Sequence, residues 1–277
     1  MDDNMRIRNA NLIIPVEMIS FSFLNKMLKE LTVYLYLKMY TDGKELFDKL
    51  KKDLKLKDKR TLDKYIRNLI RCNWMGYDVK TGNYFIRSFN HIRVINHFKK
   101  RNGVTFQYKN FKTCKSFFAA AVIGSKVNGI KYKRTLSKGK TLGVTNKGDV
   151  AFQPDFSFTG SGNSRDGLAN QLIAKELGCS KTMASNLKNM AARDGYLKVK
   201  PQYIEFVDIK DTEGGTINHL NTYYPNLSGR FKIKKTKKGN KIVVQVYDEI
   251  TPCIKFKTIT KLTNAASKCG INLKVAA

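Results

Sequence analysis

What this sequence lacks most is acid: 22 Asp and Glu stand against 52 Lys and Arg in 277 residues, for a formal charge of +30. That asymmetry is foreign to an ordinary soluble enzyme and implies a polyanionic partner. From Val79 to Gly148 there is no acid at all, while sixteen Lys or Arg fall in the same stretch. Long apolar runs are missing too, none approaching the ~20 residues of a membrane-spanning helix. The segment Met1-Asp2-Asp3-Asn4 has neither the basic end nor the apolar core of a secretory signal. The expected location is therefore cytoplasmic, in a bacterial host cell or its equivalent, in association with nucleic acid.

Metal and catalytic constellations are equally scarce. Cys72, Cys114, Cys179, Cys253 and Cys269 form no Cys-x-x-Cys pair, which argues against a zinc finger or a disulfide framework and for reduced, mostly core thiols. His91, His97 and His219 make neither His-x-His nor His-Glu-x-x-His, and acids are too sparse for a two-metal nuclease. Gly139-Lys140-Thr141 ends like a phosphate-binding loop, but Arg134 stands where its first glycine belongs. Gly124 and Gly129 have the right spacing, yet Ile130 replaces the lysine. Nothing singles out one of the thirteen tyrosines as a nucleophile. No catalytic residue, cofactor or metal is nominated, and a non-enzymatic protein is expected.

What is present suffices for packed cores, since 42% of residues are hydrophobic and 11% aromatic, and the length suggests two domains. Phe23, Met27, Leu31, Tyr34, Leu35 and Met39 recur at near-helical spacing and predict one helix over Ile19–Tyr40. Leu46, Phe47, Leu50 and Leu54 predict a second over Lys44–Leu54. After the polar turn Lys55–Asp58, a third runs from Lys59 to about Cys72, completing a helix-turn-helix pattern. Trp74–Val79 and Tyr84–Phe89 flank the turn Lys80–Asn83 and read as a hairpin, or wing. Asn90–Phe111 reads as a basic connector with room for a helix.

A second block repeats the order. Lys112–Lys126, carrying Phe117, Phe118, Ala121 and Val122, predicts a helix, followed by an inserted loop over 128–167 with a short hairpin around Asn146-Lys147-Gly148. Helices then follow over Leu168–Leu177, stopped by Gly178, and over Lys181–Asp194, capped by Ser180. Tyr196–Lys200 and Tyr203–Val207 suggest a second wing. Farther on, the basic run Arg230–Lys241 is expected to turn through Gly239-Asn240 into a strand over Lys241–Tyr247, and a final helix to cover Ile259–Cys269. The expected class is α+β: two winged helix-turn-helix units with a basic inserted loop and a β-rich C-terminal region. The divisions are 1–110 (first unit plus connector), 111–210 (second unit) and 211–277 (β-rich and basic).

In the third helix of the first block, Leu62, Ile66, Leu69 and Ile70 form the apolar stripe. This leaves Lys59, Arg60, Thr61, Lys64, Arg67, Asn68 and Arg71 on or near the open face, with Asp58 as N-cap. In the second block Met183, Leu187, Met190 and Ala191 form the stripe and leave Lys181, Thr182, Ser185, Asn186, Lys188 and Asn189. Arg60 or Lys181 suits a bidentate guanine contact and Asn186 or Asn189 an adenine contact, each giving ~1–3 kcal/mol of discrimination. Backbone phosphates would fall to Lys80, Asn83, Lys131, Lys133, Arg134, Lys138, Lys140, Lys198 and Lys200.

Ser180-Lys181-Thr182-Met183-Ala184-Ser185-Asn186-Leu187-Lys188, with Asp194-Gly195-Tyr196-Leu197, resembles the recognition helix and wing entry of winged-helix regulators. Lys59-Arg60-Thr61-Leu62-Asp63-Lys64-Tyr65-Ile66-Arg67 with Trp74 resembles the same element. Two such units in one chain resemble plasmid and phage replication initiators built from tandem winged helices. The resemblance implies sequence-specific double-stranded DNA binding in replication initiation or transcriptional regulation on a phage, plasmid or other mobile element. A non-specific architectural or virion-associated packaging protein is the alternative reading. RNA or single-strand binding is a third, because Phe106, Tyr108, Phe111 and Tyr132 interleave the basic stretch. A plain trihelical protein-contact unit is the bland reading of each helix-turn-helix. Expected partners are double-stranded DNA and, beyond it, a second copy of the chain or the replication or transcription machinery, with no membrane.

Overall fold

The computed structural model describes residues 11–40, 50, 58–140, 168–205, 217–223, 229–236 and 239–271, with 131–140 and a few positions between 204 and 246 as backbone alone. Helices and sheets are mixed in an α+β arrangement. The chain opens with strand β1 (Asn11–Pro15), α1 (Val16–Leu24) and α2 (Leu28–Met39). The single helix expected over Ile19–Tyr40 is thus two, because the backbone turns at Lys26 with φ +57°. The turn places α2 where Val33, Tyr34, Leu35, Tyr36 and Leu37 are buried in succession, on every side of the helix. The helix expected over Lys44–Leu54 lies outside the described residues except Leu50, which is helical and buried.

The next helix, α3 (Lys59–Arg71), starts where its cap residue predicted and buries Leu62, Tyr65, Ile66 and Leu69. It leads into the antiparallel pair β2 (Met75–Asp78) and β3 (Asn83–Ile86), as the turn at Lys80–Asn83 required. The expected connector is ordered structure: α4 (Phe89–Ile95), β4 (Asn102–Gln107) and a 3-10 turn over Tyr108–Thr113. β4 lies between β1 and β8 (Phe256–Thr258), both antiparallel to it. Its buried Phe106 meets Phe111 and Phe117 with ring centroids 4.9 and 5.2 Å away.

Helix α5 (Cys114–Lys140) overturns the loop expected from 128, since its backbone stays helical to Lys140. Residues Phe117 to Ile123 are all buried, because α1, α6 (Asn170–Leu177), α7 (Lys181–Arg193) and β7 (Gly239–Pro252) surround this stretch. Gly124 has a packing reason: a Cβ there would stand 2.9 Å from the Cβ of Pro252. The rest of the expected loop, 141–167, lies outside the described residues, including the hairpin at Asn146-Lys147-Gly148.

The hairpin expected from Tyr196–Lys200 and Tyr203–Val207 does not form, because a single strand spans the place of its turn. β5 (Leu197–Glu205) runs without a turn through Pro201 and pairs with β7, some forty residues downstream. Pro201 is tolerated because β5 is the edge of the sheet ordered β5-β7-β6, with β6 spanning Phe231–Thr236. The basic hairpin β6–β7 forms, but Gly239 and Asn240 already belong to β7, opposite Thr236 and Lys235. A short helix, α8 (Ile217–Tyr223), packs Leu220 against Phe231 and Val244. The last helix, α9 (Leu262–Lys268), sets Ala265 and Ala266 against Val94 of α4. One buried cluster runs from Leu12 to Ile250 across positions 110 and 210. Among the described residues no helix is long and apolar enough to cross a membrane.

Candidate nucleic-acid interface

Two helices of equal length, α3 and α7, are built by the same local rules. Each has 13 residues. The Asp58 carboxylate accepts from the Arg60 amide at 3.1 Å, and the Ser180 hydroxyl accepts from the Met183 amide at 3.2 Å; each cap satisfies a donor the helix leaves open. Both helices end in a left-handed residue, Asn73 at φ +57° and Gly195 at φ +78°. The next amide folds back in both: Trp74 donates to the Leu69 carbonyl and Tyr196 to the Ala191 carbonyl, each at 2.9 Å. A strand then follows directly, β2 after α3 and β5 after α7, with a buried or half-buried aromatic, Trp74 or Tyr196, at the junction.

The open face of α3 is cationic. Lys59, Arg60, Lys64, Arg67 and Arg71 are exposed and Thr61 half-buried. No acid follows Asp58 in the first turn, so Lys59 and Arg60 sit at the positive end of the helix dipole, where each cation costs a few tenths to ~1 kcal/mol. An arrangement that opposes folding in this way suits an anion docking at the helix start. Asn68 is different: its side-chain amide donates to Glu30 of α2 at 2.9 Å, and Glu30 is 5% exposed. It therefore ties two helices together and leaves the candidate face.

On α7 the buried stripe is Ala184, Leu187, Lys188 and Ala191, one residue around from the expected one. Met183 is 42% exposed, and the small Ala184 takes the inner position where α5 approaches. The rotation carries Lys188 inside, 3% exposed, into an ion pair with Asp248 of β7. It cannot meet a ligand there. Lys181, Thr182, Asn186 and Asn189 are exposed as expected, and Ser185 is half-buried. Asn186 and Asn189 line a shallow depression with Met190 and Arg193, the last not foreseen from sequence.

Of the expected phosphate contacts, Lys80 and Asn83 are exposed at the hairpin turn, and Lys198 and Lys200 on β5. The same sheet adds exposed Lys232 and Lys234 on β6, within the basic run Arg230–Lys241. Lys131, Lys133, Arg134, Lys138 and Lys140 lie on the helical backbone of α5, their side chains outside the described set. The acid-free stretch is not all surface. Arg93 is 1% exposed and donates to the Thr260 carbonyl at 2.8 Å, clamping α4 to the C-terminal segment. Arg87 shares a 2.8 Å hydrogen bond with His91 Nε2, and burial together with that guanidinium holds the imidazole below its usual pKa. The aromatic signal for RNA also dissolves in part, since Phe106 is fully buried and Phe111 packs against it. Among the described residues no cluster of His, Cys, Asp or Glu could hold a metal. Compared with protein-family models, curated proteins and solved structures, the chain returns no match.

Proposed function

We propose that this chain is a non-enzymatic, sequence-specific binder of double-stranded DNA in which α3 and α7 are the recognition helices, α3 carrying the β2–β3 hairpin as its wing and α7 the edge of the β5-β7-β6 sheet in the place of one. The observation that carries the reading is the repeated device: two capped helices of equal length, each ending in the same left-handed turn into a strand, each exposing polar or cationic side chains along one face. Arg60 and Lys64 on α3 and Asn186 and Asn189 on α7 are the base readers. Lys80, Lys198, Lys200, Lys232 and Lys234 neutralise phosphates beside them. The process served is replication initiation or transcriptional control on a mobile element, in keeping with the resemblance to tandem winged-helix initiators.

Selection of bound duplexes from a randomised pool at near-physiological salt, followed by anisotropy titration of the winner against a scrambled duplex, tests this. Convergence on a two-block motif with an affinity ratio of ~10³ or more is expected. Uniform, salt-sensitive binding to every duplex would instead assign the charge to coating or packaging. Within a converged motif, replacing Arg60 and Lys64 by Ala relaxes preference in one block only, by ~1–3 kcal/mol per lost base contact.

A further inference from the structure

Nine large hydrophobic side chains are exposed among the described residues, and four of them belong to the β2–β3 hairpin: Tyr77, Val79, Tyr84 and Phe85. Single exposed hydrophobics need no explanation, but a cluster on one small ribbon does. Phe85 has a structural one. Its ring lies across Gly76, where a Cβ would come within 2.1 Å of Cζ, and the Arg87 guanidinium covers it at 5.2 Å from the ring centroid. Among the described residues Tyr77 and Tyr84 have no such cover. They face each other across the strands with ring centroids 5.0 Å apart, yet remain 47% and 50% exposed. Val79, at the entry to the turn, is 84% exposed.

The base of this hairpin is rigid. The Trp74 carbonyl accepts from the Arg87 amide at 3.1 Å, and the Arg87 carbonyl accepts from Tyr34 Oη at 2.7 Å and Lys38 Nζ at 3.1 Å. The surroundings are cationic: Lys80 is exposed at the tip, and the carboxylate of Asp78 is turned onto the Lys80 amide and Thr81 hydroxyl. Open aromatic faces in a cationic setting fit flat, uncharged rings carried on a polyanion, whereas a protein-binding ribbon would not gain from that charge.

We infer that Tyr77 and Tyr84 form a stacking platform for unpaired DNA bases, with Val79 as the apolar tip against the neighbouring base step. The site goes beyond reading a closed duplex and rests on the proposed function only in choosing DNA over RNA, because the hairpin is fixed three residues beyond α3. A protein that grips the groove with α3 would then hold an adjoining opened segment on the ribbon.

The test is anisotropy titration of the full chain with a short closed duplex, with the same duplex carrying a central run of unpaired bases, and with a matching single-stranded RNA. The wild type should favour the opened duplex by about tenfold or more, as one or two base stacks require. Tyr77→Ile with Tyr84→Ile keeps strand propensity and should abolish that preference while leaving closed-duplex affinity within about twofold. The single tryptophan, fully buried at the hairpin base, reports folding through its emission. Equal wild-type binding to opened and closed duplexes, tighter binding to the RNA, or a folded double variant that keeps its preference would each overturn the inference. Should the variant unfold, photocrosslinking from 5-iododeoxyuridine in the unpaired run decides: attachment at Tyr77 or Tyr84 supports the platform and attachment solely elsewhere refutes it. Loss of sequence convergence in the selection, with the opened-duplex preference intact, would remove base reading by the helices and leave this site standing.

Discussion

Lys188 separates a structural from a DNA-contacting role, because the two make opposite predictions for its removal. It stands among exposed polar neighbours on α7, yet its side chain is 4% exposed and pairs with Asp248, whose own side chain is 17% exposed. Gln245 donates to the second Asp248 oxygen at 2.7 Å, so the carboxylate is held on both sides. Lys188→Met keeps the length and helix propensity of the side chain and deletes the cation, leaving a largely buried carboxylate with one neutral partner. Breaking a buried pair from one side costs about 3–5 kcal/mol, equivalent to a fall in thermal midpoint on the order of 10 °C for a domain of this size. Replacing Asp248 as well, by Leu, should recover much of that loss, since the penalty belongs to the orphaned charge. Denaturant melts of the two variants measure both terms, and DNA titrations over a salt series measure the rest. The salt slope should stay at the wild-type value. Wild-type stability in Lys188→Met, together with a slope reduced by about one, would refute the burial argument and return Lys188 to the phosphate contacts.

Other consequences follow from the same geometry. Asn68→Ala leaves the buried Glu30 carboxylate without its donor and should cost about 1.5–3 kcal/mol in denaturant melts with no change in selected DNA sequence; a changed motif would place Asn68 on the reading face after all. Replacing Lys133, Arg134, Lys138 and Lys140 together by Ala should weaken binding to all duplexes and flatten the salt slope, whereas an unmoved slope would take that part of α5 off the DNA. Burial pushes the Cys114 thiol up to about 12, above the ~8.5 of an unfolded chain. Between those values the unfolded state releases its proton first, so the folded chain binds more protons and stability falls as pH rises from about 9 toward 12. Cys114→Ala should flatten that alkaline limb, and in the native state the exposed Cys253 should react with iodoacetamide while Cys114 does not.

The parts legible in advance are those whose causes lie within a dozen residues. Asp58 and Ser180 announced two helix starts, Gly178 a stop, and the turn at Lys80–Asn83 a hairpin; caps, apolar period and stop glycines act locally and can be read in order. The exposed cations of α3 followed from its period alone. Tyr77 and Tyr84 were placed on their strands, but their exposure depends on where the core ends, which no local pattern records.

Sequence by itself therefore determined α3, α6 and α7, the caps of α3 and α7 and the imbalance of charge, because these depend on neighbours along the chain. Tertiary structure alone decided that β4 lies between β1 and β8, that β5 takes β7 as its partner, and that α7 turns Ala184 and Lys188 inward and Met183 outward. Backbone pairing between distant strands leaves no periodic trace in either of them, and an ion pair such as Lys188–Asp248 joins residues that look solvent-facing when each is read alone. Close approach of α5 selects the small alanine over the larger methionine, a choice made by volume at the contact and not by hydrophobicity along the helix.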